Sequence, residues 1–503
     1  MEAYAVETAG TAFGRSRDRL ETVVSWLGGQ ESAGCTHAEL EARLQVEGRE
    51  LLRQLLQDHL DLRAQRETRL TGVVGADGVA RGSAEAGRRR DLATVFGEVE
   101  VRRIAYRARG RADLHPADGA LNLPEETHSH GLRRLAAVES SRGSFAEAAT
   151  SVERVTGQGL GNRQVEQLAQ RAAVDFDRFY ASRPRQLCVA GDVLVLSCDG
   201  KGIVMRPEAL RQATKRAAGK ATTKLVTRLS KGEKRNRKRM AEVGAVYDAT
   251  PVPRTPDDIL PAGDEQGRAV RPAPTARGKW LLASVAHDAA EVITAVFDEA
   301  SRRDPGHRRT WVALVDGNIH QIDRVHAEAR ARGVQVTIVV DFVHVLEYLW
   351  RAAWCFFAEG DPDAETWVRT HALRILQGRA SDVAGAIRRK ATWAGLTAGE
   401  RRGADTCANY LTSKRAHLDY PTALEAGWPI ATGVIEGACR HLVQDRMDLT
   451  GARWGLDGAE AILKLRALRS NGDLDDYWAY HLTQEQQRVH ATRYAAGVIP
   501  SIR

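Results

Sequence analysis

The sequence predicts an α/β protein built around a mixed sheet, and three observations lead to that fold class. Residues 193–199 and 311–316 are short apolar runs that end in an aspartate, a pattern typical of strands buried on both faces. Between residues 193 and 341 the patterns predict strand, strand, strand, helix, strand, helix and strand, which suits a sheet with helices on its faces. Residues 345–429 lack strand signals and are predicted to be all-helical.

The length and charge of the chain bound its organisation. At 503 residues it is too long for one hydrophobic core and should form about three domains. Its net charge of +8 is concentrated in residues 201–239, where fourteen Lys and Arg side chains accompany two acidic ones. Clustered positive charge predicts an anionic partner such as DNA. The alternative is a disordered, solvated loop, and a loop that becomes ordered on DNA would satisfy both interpretations.

Cysteine usage and hydropathy indicate a cytoplasmic protein. The six cysteines are widely spaced and form no Cys-x-x-Cys pair, which argues against a structural zinc site or a disulfide framework and fits a reducing compartment. No apolar run approaches the length of a membrane span, and the first residues lack the basic and apolar regions of a signal peptide.

The amino-terminal part of the chain is predicted to be helical. Residues 1–70 form this region, and leucines recur at helical spacing over residues 37–69, which predicts an amphipathic helix with some coiled-coil character. Either packing against its own chain or pairing with a second copy would bury these leucines. Residues 71–90 are Gly-rich and lack periodicity, so we interpret them as a linker to a small DNA-binding domain over residues 91–185.

Two patterns within that small domain predict its elements. Residues 93–106 alternate apolar and polar side chains around a glycine, which predicts a hairpin with an exposed basic face. Residues 144–171 resemble a helix-turn-helix, in which Asn162 caps a second helix that carries Arg163 and Gln164 into a DNA major groove. A plain helical hairpin explains the same pattern.

Three acidic residues on separate elements point to chemistry at phosphorus. Asp199 and Asp316 follow buried strands, and Glu436 lies in a segment with helical spacing. Carboxylates are the ligands that Mg²⁺ prefers, and two such ions stabilise the attacking and leaving oxygens of an in-line displacement. In this interpretation Asp199 bridges both ions, Asp316 binds one and Glu436 binds the other. The alternative for Asp199 is that it turns a hairpin together with Gly200.

Other residues compete for these roles. Asp341 ends another apolar strand, and Asp445 lies nine residues beyond Glu436, past two helical turns, so that it should face elsewhere. His344 and His441 are interpreted as capping or core histidines. The sequence lacks the phosphate loop of nucleotide hydrolases, the Gly-x-Ser-x-Gly elbow, the His-Glu-x-x-His zinc motif and the dinucleotide glycine fingerprint.

Several sequence blocks carry a family resemblance. The blocks are SCDGKG at 197–202, LVDGN at 314–318, DFVHVLEYLW at 341–350, GVIEG at 433–437, DRM at 445–447 and GARW at 451–454. Together they resemble the DDE transposases of bacterial insertion sequences, the ISKra type in particular, over about residues 90–490.

The resemblance implies a fold. It implies an RNase H-like catalytic core formed by residues 186–344 and 430–475, interrupted by an all-helical insertion over residues 345–429. The helical DNA-binding regions described above precede this core. Residues 476–503 are expected to be a C-terminal tail.

The resemblance also implies an activity. Such an enzyme binds the terminal inverted repeats of its element, hydrolyses a phosphodiester to free a 3′-hydroxyl, and uses that hydroxyl to attack target DNA. Asp199, Asp316 and Glu436 would be the catalytic, metal-binding triad, with Mg²⁺ or Mn²⁺ as cofactor, in two ions. A homodimer or larger assembly on DNA is expected because two element ends must be joined. A DNA-binding regulator without catalysis, or a nuclease that cuts without joining, are the alternatives.

Further residues are predicted to contact DNA near this core. Arg453 and Trp454 are interpreted as gripping or stacking on a displaced nucleotide, although Trp454 could equally belong to the core. Cations from the basic run would neutralise phosphates. They are Lys215, Arg216, Lys234, Arg235, Arg237, Lys238 and Arg239.

Overall fold

The protein is mixed α/β. A computed structural model describes residues 12–184, 189, 191–219, 237–261, 270–449 and 451–501. Helices account for 56% and strands for 16% of the structure, and five strands form a mixed sheet, which confirms the predicted fold class at this level. The chain divides into two compact units, Met1–Ser182 with Gly472–Arg503, and Arg183–Asn471. No helix in the described part of the chain combines the length and apolarity needed to span a membrane.

The first unit begins with a pair of helices. The helix α1 (Gly14–Leu27) is followed by the short α2 (Gln30–Ala33) and by α3 (His37–Arg66). The last of these is the amphipathic helix that the leucine spacing predicts, and a capping box fixes its start. It packs on α1 and on the strand β2 (Gly97–Arg107), so part of its apolar side is buried within its own chain.

A long antiparallel hairpin follows these helices. It pairs β1 (Ser83–Thr94) with β2, and it extends beyond the predicted residues 93–106. The strand β1 therefore begins inside residues 71–90, which the sequence predicts to be a linker. Most of β1 is exposed on both faces, so its sequence lacks the apolar alternation from which a strand is predicted.

Three helices lie in and before the predicted helix-turn-helix, residues 144–171. They are α5 (His130–Arg142), α6 (Phe145–Thr156) and α7 (Asn162–Ala172). Side chains including Val152 and Leu168 pack between them, and α6 and α7 are the two helices of the predicted pattern. The other α-helices described in this unit are α4 (Pro116–Ala120), α8 (Phe176–Ser182) and α21 (Leu474–Glu485).

The expected C-terminal tail is residues 476–503, and its described part, residues 476–501, contributes to the fold of the first unit. The side chain of Arg133, on α5, is fully buried and donates a hydrogen bond to Glu485 Oε2 on α21 (3.0 Å). The buried face of α21 carries His481 and Glu485 beside two aromatic residues. Because polar groups share that face, the sequence shows no apolar period that predicts a packed helix.

The second unit is organised around the five-stranded sheet. Its strands are β3 (Val193–Val204), β4 (Lys238–Ala249), β5 (Ala276–Ser284), β6 (Trp311–Val315) and β7 (Val336–Val340). Their spatial order is β5-β4-β3-β6-β7. The central strand β3 is antiparallel to β4 and parallel to β6, while β5 is antiparallel to β4 and β7 is parallel to β6.

Helices pack on the sheet and link its strands. The helix α11 (Ala289–Arg303) packs on β3, β4 and β5, and α20 (Leu456–Asn471) packs on β5. The helix α12 (Ile319–Arg332) connects β6 to β7. Between β7 and α18 (Gly433–Ala438) the chain, which is described throughout, contains helices and loops and no strand. The helices of that stretch are α13 (Phe342–Ala353), α14 (Pro362–Leu376), α15 (Ala380–Trp393), α16 (Arg402–Ser413) and α17 (Tyr420–Glu425).

Short helices complete the second unit. They are α9 (Gln212–Gly219), α10 (Pro256–Ile259) and α19 (Asp445–Met447). A π-helical turn over Cys439–Gln444 separates α18 from α19.

We expect Arg133→Met to destabilise the first unit by about 3 kcal/mol. The substitution removes one partner of a buried ion pair, so that less positive charge offsets the buried carboxylate of Glu485. The neighbouring Arg134 is 44% exposed where it pairs with Asp475. The matched control Arg134→Met should therefore cost less than about 1 kcal/mol. Urea denaturation followed by hydrogen exchange in α5 and α21 measures both losses. Equal losses would contradict a structural role for the buried pair.

Candidate active site at one edge of the sheet

The strand register brings three aspartates to one edge of the sheet. The strands β3 and β6 pair in parallel up to two residues before Asp199 and Asp316. The strands β6 and β7 pair up to the residue before Asp316 and Asp341. Because adjacent strands lie about 4.8 Å apart, the three residues stand side by side. This is the carboxyl edge of the parallel strands, where α/β sheets commonly hold their sites.

Asp199 lies within β3 rather than at its exposed end. The strand β3 stops pairing with β6 at Ser197 but continues to pair with β4 as far as Val204. The prediction that the strand ends at Asp199 is therefore wrong, and so is the alternative that Asp199 and Gly200 form a hairpin turn. The apolar run stops at Asp199, but a two-stranded ribbon accepts the polar residues that follow. The Asp199 carboxylate is half-buried and accepts hydrogen bonds from Gly200 N (2.7 Å) and Cys439 Sγ (3.3 Å).

A further carboxylate, Glu242, stands opposite Gly200 on β4. Burial raises the pKa of Glu242, the positive charge of Arg211 opposes the rise, and the negative charge of Asp199 adds to it. A Cβ added to Gly200 would come within 2.9 Å of Glu242 Oε2, so glycine leaves room for this side chain. Nothing in the strand pattern distinguishes Glu242 before its neighbours are known.

Asp316 follows β6 in a tight loop. Its Oδ1 accepts a hydrogen bond from Asn318 N (2.7 Å), and Asn318 Oδ1 accepts one from His320 N (3.0 Å) where α12 begins. The backbone is held from a second direction, since Tyr410 Oη on α16 donates to Asp316 O (2.8 Å). Asp316 is therefore oriented both by its own loop and by the helical stretch that follows β7.

Glu436 joins the cluster from α18, which packs against β3 and β4. Thr432 Oγ1 lies 3.2 Å from Glu436 Oε1 and also hydrogen-bonds Asp341 Oδ2. Because a hydroxyl has one proton to donate, Thr432 can bond only one of these carboxylates at a time. Asp341 is fully buried whereas Glu436 is exposed, so Glu436 is the more accessible of the two to a ligand.

His344 is part of this cluster, not of a core. Asp341, His344 and Glu436 each place a potential ligand atom within 4.8 Å of the others, so distance alone would permit a metal ion there. His344 Nδ1 lies 3.0 Å from Asp341 Oδ2. That hydrogen bond raises the pKa of His344 to about 9, against the opposing effect of burial. A protonated imidazole donates from both nitrogens, so His344 would have to lose its proton to bind a metal, whereas carboxylates are the oxygen donors that Mg²⁺ prefers.

The competing acidic residues have other partners. Asp341 Oδ1 accepts a backbone hydrogen bond that caps α13 (2.9 Å), in addition to the contacts of Oδ2. Asp445 begins α19 and lies 3.8 Å from Arg440 in an exposed ion pair. His441 Nε2 is hydrogen-bonded to Ser470 Oγ (2.8 Å). Asp341 therefore supports the site, whereas Asp445 and His441 make contacts of their own.

The residues predicted to read DNA in the first unit lie on α7. Arg163 and Gln164 are both exposed. However, Gln164 Oε1 accepts a hydrogen bond from Gly161 N (2.8 Å), so Gly161 occupies the capping position that the sequence suggested for Asn162. Arg163 is therefore the better placed of the two for a contact with DNA.

The predicted DNA-contacting cations of the second unit differ in their surroundings. Lys215 and Arg216 are exposed on α9, and Arg453 is exposed before α20. Arg239 instead donates to three backbone carbonyls at 2.6 to 3.1 Å, and burial lowers its pKa. Its guanidinium is therefore committed to the fold. The three acceptors are Ala209, Val285 and Ala286.

The rest of the basic run is described only in part. Lys234 and Arg235 lie outside the described residues. Arg237 and Lys238 are half-buried at the start of β4. Met205 N donates to Arg237 O (2.9 Å). Backbone pairing between the two ends of the basic run therefore continues one residue past the end of β3 and the start of β4.

Trp454 is packed in the interior and is not exposed to a nucleotide. It is 5% exposed, its Nε1 donates to Met447 O (3.0 Å), and the Arg446 guanidinium lies 4.6 Å from its ring centroid. Its backbone carbonyl accepts from Arg206 N just beyond β3 (2.8 Å). The structure therefore supports the core alternative for Trp454 and leaves Arg453 exposed next to it.

The sequence did not point to two residues whose side chains lie within hydrogen-bonding distance of triad carboxylates. Thr432 lies four residues before Glu436 and Cys439 lies three residues after it. Side chains at these spacings share one face of a helix. The spacing could have predicted that Thr432 and Cys439 lie near Glu436. It could not have predicted that they also contact Asp341 and Asp199.

In the metal-free protein we expect His344 to titrate with a pKa of about 9. A raised pKa means that its bond to Asp341 stabilises the fold fully below the usual value of 6.5, and that this contribution is lost as pH rises through 9. Asp341→Asn removes the main cause and should return the pKa toward 6.5. NMR spectra of histidine-labelled protein measure it, with His344→Gln to identify the signal. A parent value near 6.5 would contradict the observed geometry.

Comparisons with known proteins assign no family to this chain. No known family model matches it, and a search of the curated proteins finds no match.

Proposed function

We propose that the protein is a DNA transposase that uses Asp199, Asp316 and Glu436 to hold two divalent cations. The observation that carries this proposal is the strand register, which sets Asp199 and Asp316 side by side. Glu436 approaches from α18, and Cys439 at the end of that helix donates to Asp199. Carboxylates from separate elements at one edge match the oxygen-rich site that two-metal phosphoryl transfer needs.

The proposed catalytic core is RNase H-like. The central strand β3 carries the first acidic residue, the loop after β6 carries the second, and α18 carries the third. The stretch from α13 to α17 stands between the second and third acidic residues, as an all-helical insertion in such a core would. These features support the proposal that residues 345–429 interrupt a core made of residues 186–344 and 430–475.

The chain's own residues orient the carboxylates that would hold the cations. Asp199 and Asp316 each accept a hydrogen bond from a backbone N–H group, and Asp199 also accepts one from the Cys439 thiol. Thr432 Oγ1 lies 3.2 Å from Glu436 Oε1 and can donate to it when it is not bonded to Asp341. When bound, Mg²⁺ or Mn²⁺ would stabilise the attacking and leaving oxygens at a phosphodiester. Hydrogen bonds that already orient the ligands reduce the reorganisation needed on binding.

The proposed partners are DNA duplexes that carry the terminal inverted repeats, and target DNA. Exposed cations that could neutralise phosphates are Arg163 on α7, Lys215 and Arg216 on α9, and Arg453. Affinity that rests on such contacts falls steeply with salt. We further propose that the active species is a homodimer or larger assembly, because strand transfer must join two element ends.

Loss of any triad carboxylate should remove catalysis. We expect Asp199→Ala, Asp316→Ala and Glu436→Ala each to slow cleavage and joining of a labelled terminal-repeat duplex in Mg²⁺ by about a hundredfold or more. DNA binding should be retained. Glu347→Ala is the control, because Glu347 is exposed on α13 and pairs with Arg351 (3.4 Å) outside the triad.

The same assay separates the alternatives. Undiminished activity in Glu436→Ala would move the third ligand elsewhere, with Asp341 as the next candidate. Cleavage without joining of a pre-cleaved end would indicate a nuclease. Tight repeat binding by a parent protein that cannot cleave would indicate a DNA-binding regulator.

Arg163 should contribute to recognition of the repeat. We expect Arg163→Ala to weaken binding to the terminal repeat by about 1–3 kcal/mol and to affect an unrelated duplex much less, as a base contact in the major groove does. Arg142→Ala is the control, since Arg142 is also exposed but pairs with Glu139 at the end of α5 (2.9 Å). Fluorescence anisotropy at fixed salt measures all of these affinities. Equal weakening on both duplexes would make Arg163 a phosphate contact instead.

A further inference from the structure

We infer that Tyr410 is a positioning residue for the metal ligand Asp316, an inference that rests on the proposed function. Tyr410 lies on α16, in the helical stretch between the second and third acidic residues. Its hydroxyl donates to the backbone carbonyl of Asp316 (2.8 Å). It acts through the backbone of the ligand and does not contact the reacting groups.

The residue after Asp316 shows how closely the tyrosine covers this loop. Gly317 has φ of +90°, a conformation that side chains rarely adopt. A Cβ there would lie 2.7 Å from Tyr410 Oη and 3.1 Å from Tyr410 Cε2. Glycine is therefore required both by the turn and by the tyrosine that packs on it.

The Tyr410 ring is itself held by α13. It stacks on Tyr348 with ring centroids 3.9 Å apart and 16° between the planes, and Arg351 lies 5.0 Å from the Tyr348 centroid. The two helices approach closely at Gly403, where an added Cβ would be 2.3 Å from Arg351 O. Gly403 lies seven residues before Tyr410, and so on the same side of α16. The close approach of the helices thus sets the stacked pair against the Asp316 loop.

A second tyrosine makes the same kind of contact one strand away. Tyr420 Oη donates to Val340 O (2.8 Å), just before Asp341. The helical stretch therefore holds the backbone at the ends of both β6 and β7. Tyr420 supports the strand before Asp341, whereas Tyr410 supports a proposed metal ligand directly.

Loss of the Tyr410 hydroxyl should loosen the ligand without displacing the helix. The Asp316 carboxylate is oriented by Asn318 N, so its direction depends on the backbone of residues 316–318. Movement of that backbone should weaken cation binding and leave DNA affinity unchanged, because no phosphate contact is removed.

Tyr410→Phe in the full-length protein tests this inference, since it keeps the ring stack and removes only the hydroxyl. We expect the Mn²⁺ dissociation constant, measured by electron paramagnetic resonance without DNA, to rise about tenfold, as for other groups that orient metal ligands. Amide hydrogen exchange at residues 317 and 318 should accelerate. The Mn²⁺ concentration for half-maximal cleavage should rise in parallel, with KM for DNA unchanged.

Tyr420→Phe is the matched control, because it removes the same kind of hydrogen bond from the neighbouring strand. It should leave exchange at residues 317 and 318 unchanged and Mn²⁺ affinity within about twofold of the parent. Unchanged exchange and Mn²⁺ affinity in Tyr410→Phe would overturn the inference, as would equal losses of affinity in both variants. Mn²⁺ binding that survives Asp316→Ala would contradict the proposed function instead, and the exchange data would still decide whether Tyr410 holds the loop.

Discussion

The candidate site depends on the parallel register of β3, β6 and β7. These strands bring Asp199, Asp316 and Asp341 to one level, although more than a hundred residues separate the first two. Strand spacing then places like charges close together, and their mutual repulsion opposes folding unless positive charge or hydrogen bonds offset it. The protein supplies backbone N–H groups, the Cys439 thiol, the Thr432 hydroxyl and an imidazolium. In the proposed function, divalent cations complete this compensation.

The helical stretch after β7 is structurally tied to the cluster. Its first helix is capped by Asp341 and carries His344, and Tyr410 and Tyr420 return to the ends of β6 and β7. If this stretch is an insertion in an RNase H-like core, it does more than separate the second and third acidic residues. It helps to set the backbone from which the carboxylates project.

The sequence predicted those elements whose buried side chains are apolar and regularly spaced. The strands β3 and β6 are continuous apolar runs because both of their faces are covered, and the regular leucine spacing of α3 predicted a helix. Prediction failed where burial depends on partners distant in sequence. The strand β1 is largely exposed, and α21 buries paired charges. Trp454, for which the sequence left a DNA contact and the core both open, pairs through its backbone with Val204 and Arg206 at the end of β3. Similarly, the basic run suggested that Arg239 contacts DNA, but its three carbonyl acceptors are visible only in the folded chain.

Anomalous diffraction from crystals grown with Mn²⁺ would test the central claim most directly. We expect Mn²⁺ peaks within coordination distance of Asp199 and Asp316 oxygens, with Glu436 as a further ligand and His344 outside the coordination sphere. Loss of the peaks in Asp199→Ala crystals would support that assignment. A single peak held by Asp341, His344 and Glu436, with none near Asp199, would contradict it.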